Sequence, residues 1–172
     1  LAHIIAEAAK ARFGYLPAAA NSVGACLAGA VPNGLPGARP IETAGASAAE
    51  MLASRRKAYL LWGLEPGYDL SDPAQAMKWL AKGKFVLACS AFRSPSLEAV
   101  ADLMLPIGAF AETSGTLVNA EVTWQSFRGA VSPPGEARPG WKVLRVLGNQ
   151  LELDGFDYRD SSQVLDEIRA HC

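Results

Sequence analysis

Three short apolar runs, separated by segments with helical spacing, constrain the fold of this chain more than any other feature. The runs cover residues 58–62, 84–89 and 103–105, and they are apolar almost throughout, as expected for strands covered on both faces. Helical spacing occurs between them, at residues 73–82 and 96–100. This alternation predicts an α/β fold with a Rossmann-like parallel sheet, flanking helices and right-handed crossovers. Ligands of such sheets bind beyond the carboxyl ends of the strands.

The 172 residues are expected to form a single α/β unit with three stretches. For residues 1–45 the sequence predicts a helix that Gly14 stops, followed by an irregular segment. Residues 46–106 are expected to carry the βαβ core. Residues 107–172 predict a long loop and C-terminal helices, the last of them capped by Ser161. A loop as long as 107–140 indicates a segment that packs on a neighbour or has a function.

The charge, the cysteines and the histidines exclude several classes of function. The net charge is −1 and the pI is about 6.2, so no basic field favours nucleic acid. Cys26, Cys89 and Cys172 are too far apart for a metal site, and neither His3 nor His171 has a partner at metal-ligand spacing. These features predict reduced thiols in a cytoplasmic protein, with no metal site in this chain.

The chain shows no signal for export or for membrane insertion. Its apolar runs fall far short of the roughly 20 residues that span a bilayer, so no direct membrane insertion is expected. It begins at Leu1 without methionine, inside a predicted helix, and this start indicates a fragment of a longer protein.

The segment that follows the first strand has two interpretations. Gly63 and Gly67 lie at the ligand edge of the predicted sheet, where glycines permit close approach to a phosphate. A plain turn between strand and helix is the other interpretation, with Asp69 or Ser71 as the cap of the next helix. The plain turn is favoured, because Glu65 would repel a diphosphate and no GxGxxG pattern is present.

A second segment carries two carboxylates, Glu112 and Glu121, within a run of small polar residues. Acid–base catalysis is one interpretation, but no histidine or nucleophile stands nearby, so we favour side chains that tie down a loop. No catalytic residue is therefore predicted. Cys89 is expected to be a small buried hydrophobic residue. The tryptophans are expected to be core or domain-interface anchors: Trp62, Trp79, Trp124 and Trp141.

Residues 101–125 resemble the molybdopterin oxidoreductase family. Residues 101–106 read Ala-Asp-Leu-Met-Leu-Pro and residues 112–121 read Glu-Thr-Ser-Gly-Thr-Leu-Val-Asn-Ala-Glu, followed by Gln125. The family pattern is A-D-x-x-L-P and then E-x-x-G-T-x-x-N-x-E-G-R-x-Q. The resemblance implies the formate dehydrogenase/DMSO reductase fold.

Three further stretches are similar to one branch of that family, the large peripheral-arm subunit of bacterial NADH:quinone oxidoreductase, respiratory complex I. Residues 13–24 match its R-F-x-x-L-P and A-N-S-x-G pattern, and residues 63–69 match its version of the G-x-N-P loop. Residues 134–144 match its P-G-x-A-R-P-x-W-K-x-L pattern. The likeness covers nearly the whole chain.

Departures from the family pattern bear on the cofactor. Val122 and Thr123 stand where the family has Gly-Arg, and Glu65 stands where catalytic members have Asn. The resemblance thus implies a scaffold without a cofactor of its own, in a subunit that carries 2Fe-2S and 4Fe-4S clusters outside this chain. The alternative is a lobe of an active formate dehydrogenase-like enzyme, in which Gly63, Glu65 and Gly67 would bind the pterin cofactor.

The resemblance also implies partners and a location. The partners would be the other subunits of the complex I peripheral arm and the N-terminal part of the same polypeptide. The location would be the cytoplasmic side of the inner membrane, with the chain held there by the complex. Electrons would pass from NADH towards quinone through the clusters of the parent subunit.

Overall fold

The computed structural model describes residues 1–172. Its centre is a parallel sheet of three strands, and smaller elements precede and follow these strands in the sequence. In chain order the elements are α1 (Ala2–Ala8), α2 (Ser22–Leu27), β1 (Gly34–Leu35), β2 (Arg39–Pro40), α3 (Ala48–Ala53), β3 (Ala58–Trp62), α4 (Pro73–Leu80), β4 (Phe85–Ser90), α5 (Pro95–Glu98), β5 (Leu103–Pro106), a 3-10 helix (Phe110–Glu112), β6 (Gly115–Val118), β7 (Trp124–Phe127), α6 (Gly140–Gln150) and α7 (Ser161–His171).

The parallel sheet has the order β3-β4-β5, with Ala58 opposite Phe85 and Leu87 opposite Leu103. This confirms the predicted strand–helix alternation. Each crossover helix begins with a proline at its first turn, after a side chain that caps it. The cap of α4 is Asp72, whose carboxylate accepts from the Gln75 N–H at 3.0 Å. The prediction that Asp69 or Ser71 caps this helix is therefore wrong.

The core lies on one face of the sheet, against α3, α4 and α5. Its buried side chains are Leu52, Leu61, Ala76, Leu80, Val86, Ala88 and Leu97. The opposite face is open at its amino end, where Leu60 is 47%, Phe85 44% and Leu103 47% exposed, whereas Cys89 towards its carboxyl end is buried. The prediction of strands covered on both faces thus fails for this chain: both faces are apolar, but only one has a full layer of helices on it.

The stretch 107–140 contains regular structure that the sequence did not predict. Strands β6 and β7 form an antiparallel hairpin in which Gly115 pairs with Phe127 and Val118 with Trp124. Hydroxyl groups of Thr116 and Ser126 lie 2.9 Å apart across it. The expectation of a mostly irregular loop is therefore wrong for the segment from Gly115 to Phe127.

The helix ends also differ from expectation. Helix α1 stops at Ala8, short of the predicted end at residue 13, and Lys10 takes a positive φ of 54° just beyond it. Helix α7 begins after Asp160, whose carboxylate accepts from the N–H groups of the next turn, so Asp160 and not Ser161 is its cap. A two-residue ladder, β1–β2, occurs within the otherwise irregular segment before α3. No helix is both long enough and apolar enough to cross a membrane.

Candidate functional site

Loops from all three parallel strands meet at the carboxyl edge of the sheet. The N–H of Gly63, which follows β3, donates to the Cys89 carbonyl at 2.8 Å. The N–H of Ile107, which follows β5, donates to the Ser90 carbonyl at 3.1 Å. Both outer loops are thus fastened to the end of the central strand, at the edge where ligands of parallel sheets bind.

The loop from Gly63 to Asp69 is closed on itself by hydrogen bonds. The N–H of Glu65 donates to Oδ2 of Asp69 at 2.7 Å, and the N–H groups of Tyr68 and Asp69 both donate to the Glu65 carbonyl at 2.9 Å. Gly63 has a φ of +58°, a region that glycine enters without steric cost. The turn conformation therefore accounts for this glycine without a ligand.

Gly67 has a different reason to be glycine. A Cβ at this position would lie 3.3 Å from Cβ and Oγ of Ser96, at the start of α5. The neighbouring Pro66 is fully buried. Gly67 thus allows the loop to pack closely against α5, whereas the side of Gly63 on which a Cβ would stand is open space for at least 4 Å.

The loop as folded does not fit a diphosphate group. Glu65 and Asp69 bring two carboxylates to it, and neither has a cationic partner, since the contacts of this kind join Arg93 to Glu98 and the His3 ring to Glu7. An added phosphate would meet negative charge without a compensating cation. The predicted cofactor residues Gly63, Glu65 and Gly67 do lie together in one turn, but none lines any of the five principal cavities.

The polar side chains of residues 112–121 hold backbone groups. Glu112 Oε2 accepts from the Ala109 N–H at 2.8 Å, and Asn119 Oδ1 accepts from the N–H groups of Glu121 at 3.0 Å and Thr123 at 2.8 Å. The loop-tying interpretation is the one that these contacts support. Glu121 is exposed, and it takes part in this network through its backbone N–H.

Cys89 is buried, as expected, and burial raises the pKa of its thiol. Cys26 and Cys172 are exposed. No three side chains of His, Cys, Asp or Glu are grouped in a way that would hold a metal ion.

Two of the tryptophans line a cavity that the sequence did not reveal. Trp124 and Trp141 border about 210 Å³ between α2, the hairpin and α7, together with Asn21 and Ile168. Trp79 packs against the core cluster, and Trp62 remains 38% exposed on the open face of the sheet. Trp79 is therefore a core residue, as expected, and a domain-interface role for Trp62 stays a prediction.

A second cavity, of about 430 Å³, has a cationic rim that sequence reasoning missed. It lies between β5 and α6, and its lining includes Leu105, Arg138, Lys142, Arg145 and Gln150. The spacing of the three basic residues, i, i+4 and i+7, was the available signal. This spacing indicates a shared cationic rim only when the position of α6 against the sheet is known, because Arg138 precedes the helix.

Comparison with known proteins gives a family match and several relatives. The molybdopterin oxidoreductase family matches residues 5–150. The F420-dependent formate dehydrogenase subunit alpha of Methanocaldococcus jannaschii is 30% identical over 169 residues, which is 87% of this chain and 25% of that protein. The mitochondrial NADH-ubiquinone oxidoreductase 78 kDa subunit of Candida albicans is 49% identical over 74 residues, 41% of this chain and 10% of that protein.

The fold is also that of a solved structure. Acetylene hydratase from Pelobacter acetylenicus superposes with a TM-score of 0.60 at 17% identity, over 83% of this chain and 21% of that chain. The predicted fold class is thereby confirmed. The chain spans about a quarter of the length of the formate dehydrogenase subunit that it matches.

Proposed function

Because the chain belongs to the molybdopterin oxidoreductase family, we propose that it is a scaffold portion of the large iron–sulfur subunit of NADH:quinone oxidoreductase. In this role it supports electron transfer from NADH to quinone and carries no catalytic centre of its own. The observation that carries the proposal is the acidic, self-closed loop from Gly63 to Asp69 at the ligand edge of the sheet.

The loop argues for a scaffold through its charge and its hydrogen bonds. The N–H of Glu65 is already used by Asp69, so one of the backbone donors that would cradle a phosphate is occupied. The two carboxylates add repulsion towards any anionic cofactor. A scaffold needs only the packing that Pro66 and Gly67 provide against α5.

The relative from Candida albicans supports the same role. Its match is short, but at 49% identity it is stronger per residue than the longer match to the formate dehydrogenase subunit, at 30%. By this proposal the iron–sulfur clusters lie in the parent subunit outside this chain. The partners are the rest of that polypeptide and other peripheral-arm subunits, on the cytoplasmic side of the inner membrane.

The second candidate is a lobe of an active, formate dehydrogenase-like molybdopterin oxidoreductase. Its support is the match to the formate dehydrogenase subunit over 87% of this chain. The open space beside Gly63 is the place where a pterin cofactor would approach. Gly63, Glu65 and Gly67 would line it, after a rearrangement that separates Asp69 from the Glu65 N–H.

The two functions differ in the metal that the intact protein contains. The test isolates the protein with its native partners through an affinity tag and measures molybdenum, pterin, iron and NADH oxidation in the same sample. The scaffold role predicts iron and NADH oxidation with no molybdenum or pterin. Molybdenum in stoichiometric amount with the polypeptide, together with pterin, would establish the enzyme instead, and Gly63→Val would then lower both.

A further inference from the structure

The cavity beside helix α7 has walls from four separate elements of the chain. Gly24 of α2 lies on one side and Trp124 of the β6–β7 hairpin on another. Trp141, near the start of α6, and Ile168 of α7 complete the walls. Its volume is about 210 Å³, and a cavity of about 150 Å³ is large enough to bind benzene. The space is therefore sufficient for one aromatic ring with a small substituent.

The lining of this cavity suits a neutral aromatic molecule. Most of its surface is apolar, and none of the residues that line it carries a charge. The indole rings of Trp124 and Trp141 offer the offset and edge contacts that aromatic rings prefer, and Val164 and Ile168 add apolar contacts. An ion that entered would lose its hydration without gaining a charged partner. The cavity thus selects against carboxylates and phosphates.

The polar groups of the lining have partners within the chain, with one exception. Asn21 Oδ1 accepts from the Val118 N–H at 2.8 Å, and the Thr116 hydroxyl lies 2.9 Å from another hairpin hydroxyl. These groups are therefore poor partners for an ordered water, which needs two to four of them. Ser161 alone among the lining hydroxyls forms no hydrogen bond within the chain, since the cap of α7 is the Asp160 carboxylate.

We propose that this cavity binds a small, neutral aromatic molecule with one hydroxyl group, in the simplest case a phenol. The ring would lie among Trp124, Trp141 and Ile168, and the hydroxyl would pair with that of Ser161. The proposal holds for either function considered above, and the molybdenum and pterin content of the intact protein does not bear on it.

The first test uses the intact protein with its native partners and follows the binding of small aromatic probes by fluorine NMR. The probes are para-fluorophenol and para-fluorobenzoate. The phenol is expected to bind with a dissociation constant of about 1 mM or lower. The benzoate is expected to bind at least about tenfold more weakly, because its carboxylate meets no cation in the cavity. Absence of phenol binding, or equal binding of the two probes, would overturn the proposal.

Paired variants on α7 locate the binding site. Val164→Phe fills the cavity and should weaken the binding of para-fluorophenol at least about tenfold. Ala170→Phe adds the same bulk at an exposed position of the same helix and should leave the binding unchanged. Equal binding by the two variants would place the phenol elsewhere on the protein and would overturn the proposal.

A change at Ser161 tests the hydrogen bond and does not depend on the folding of Val164→Phe. In the unchanged protein para-fluorophenol should bind about fivefold more tightly than fluorobenzene, which lacks the hydroxyl. Ser161→Ala should remove this difference and leave the affinity for fluorobenzene unchanged. Circular dichroism checks that each variant is folded. If the preference for the phenol persists in Ser161→Ala, the proposed position of the ligand is wrong.

Discussion

The side-chain oxygen Oδ1 of Asn21 accepts a hydrogen bond at 2.8 Å from the backbone N–H of Val118, 97 residues away in the sequence. Val118 is buried at the end of β6, so its N–H has no access to water as an alternative acceptor. This contact joins α2 to the hairpin. It also gives a structural role to the Asn of the A-N-S stretch, for which the sequence alone suggested none.

Removal of this acceptor should destabilise the protein. Asn21→Ala is expected to lower the free energy of unfolding by about 1–3 kcal/mol, because it leaves the N–H of Val118 buried without a partner. Asn21→Asp retains an oxygen at the same place and should cost less. Denaturant unfolding measures both. The exposed Asn33 provides the control Asn33→Ala, and an equal loss at the two sites would show that the contact has no special weight.

Gly24 should be required for the same contact. A Cβ at this position would lie 2.1 Å from Oδ1 of Asn21, so Gly24→Ala must displace the oxygen that Val118 uses. We expect a net loss of stability, although alanine is favoured over glycine in a helix by about 1 kcal/mol. In an Asn21→Ala background the same change should cost little or even stabilise. A double-mutant cycle measures this coupling, and additive effects would contradict it. Gly14→Ala, which meets no atom within 4 Å, is the control.

Val122 occupies a backbone conformation that suits glycine. Its φ is +63° and its side chain is 54% exposed, so Val122→Gly relieves the strain and removes little packing. The left-handed region costs a residue with a Cβ about 1–2 kcal/mol, and the extra entropy of unfolded glycine offsets part of the gain. The variant should therefore be more stable by about 0.5–1 kcal/mol.

The control for this prediction is Val131→Gly. Val131 is 60% exposed but its φ is not positive, so the same chemical change should destabilise the protein there. Thermal unfolding of both variants measures the difference. Loss of stability in Val122→Gly would mean that the packing of the valine side chain outweighs the strain.

Val122 also shows why the hairpin escaped sequence analysis. The apolar runs around Leu61 and Ala88 are strong local signals, and they predicted the parallel sheet correctly. The turn between β6 and β7 has no glycine at its left-handed position, and Asn119 forms the turn by accepting from two backbone N–H groups. Local sequence signals for a turn were therefore weak, although the long-range pairing of the strands is well defined.

The candidate site shows a second limit. The position of the Gly63 loop followed from the strand order, and its acidic side chain, Glu65, is visible in the sequence itself. The cavity beside Lys142 could not be predicted, because it depends on how α6 packs across the sheet. The pattern of apolar residues shows which sides of a strand are apolar. It does not show whether this chain contains the helices that would cover both sides.

Thiol reactivity should distinguish Cys89 from the other two cysteines. Burial raises the pKa of Cys89 and also blocks access to it, so the thiolate that reacts with disulfide reagents is scarce. Two thiols, those of Cys26 and Cys172, should react rapidly in the folded protein, and a third should react only in denaturant. Rapid reaction of all three thiols under native conditions would show that β4 opens readily. Cys26→Ser should remove one rapid equivalent and leave the slow one.

Tyr158 should make the stability of the protein depend on pH in the alkaline range. Its hydroxyl donates to Oε2 of Glu167, and this bond, with some burial and the carboxylate charge, raises the pKa of Tyr158 from 10 to about 12. The folded state therefore holds a proton that the unfolded state releases between these values. The stabilisation is fully present below pH 10 and is lost as the pH rises through about 12.

Ultraviolet absorbance of tyrosinate follows the titration. Tyr158→Phe should remove the step near pH 12, and Glu167→Gln should move it to lower pH. Tyr68 is exposed, so Tyr68→Phe should leave the step near pH 12 in place. Loss of the step in this variant would show that it does not arise from Tyr158.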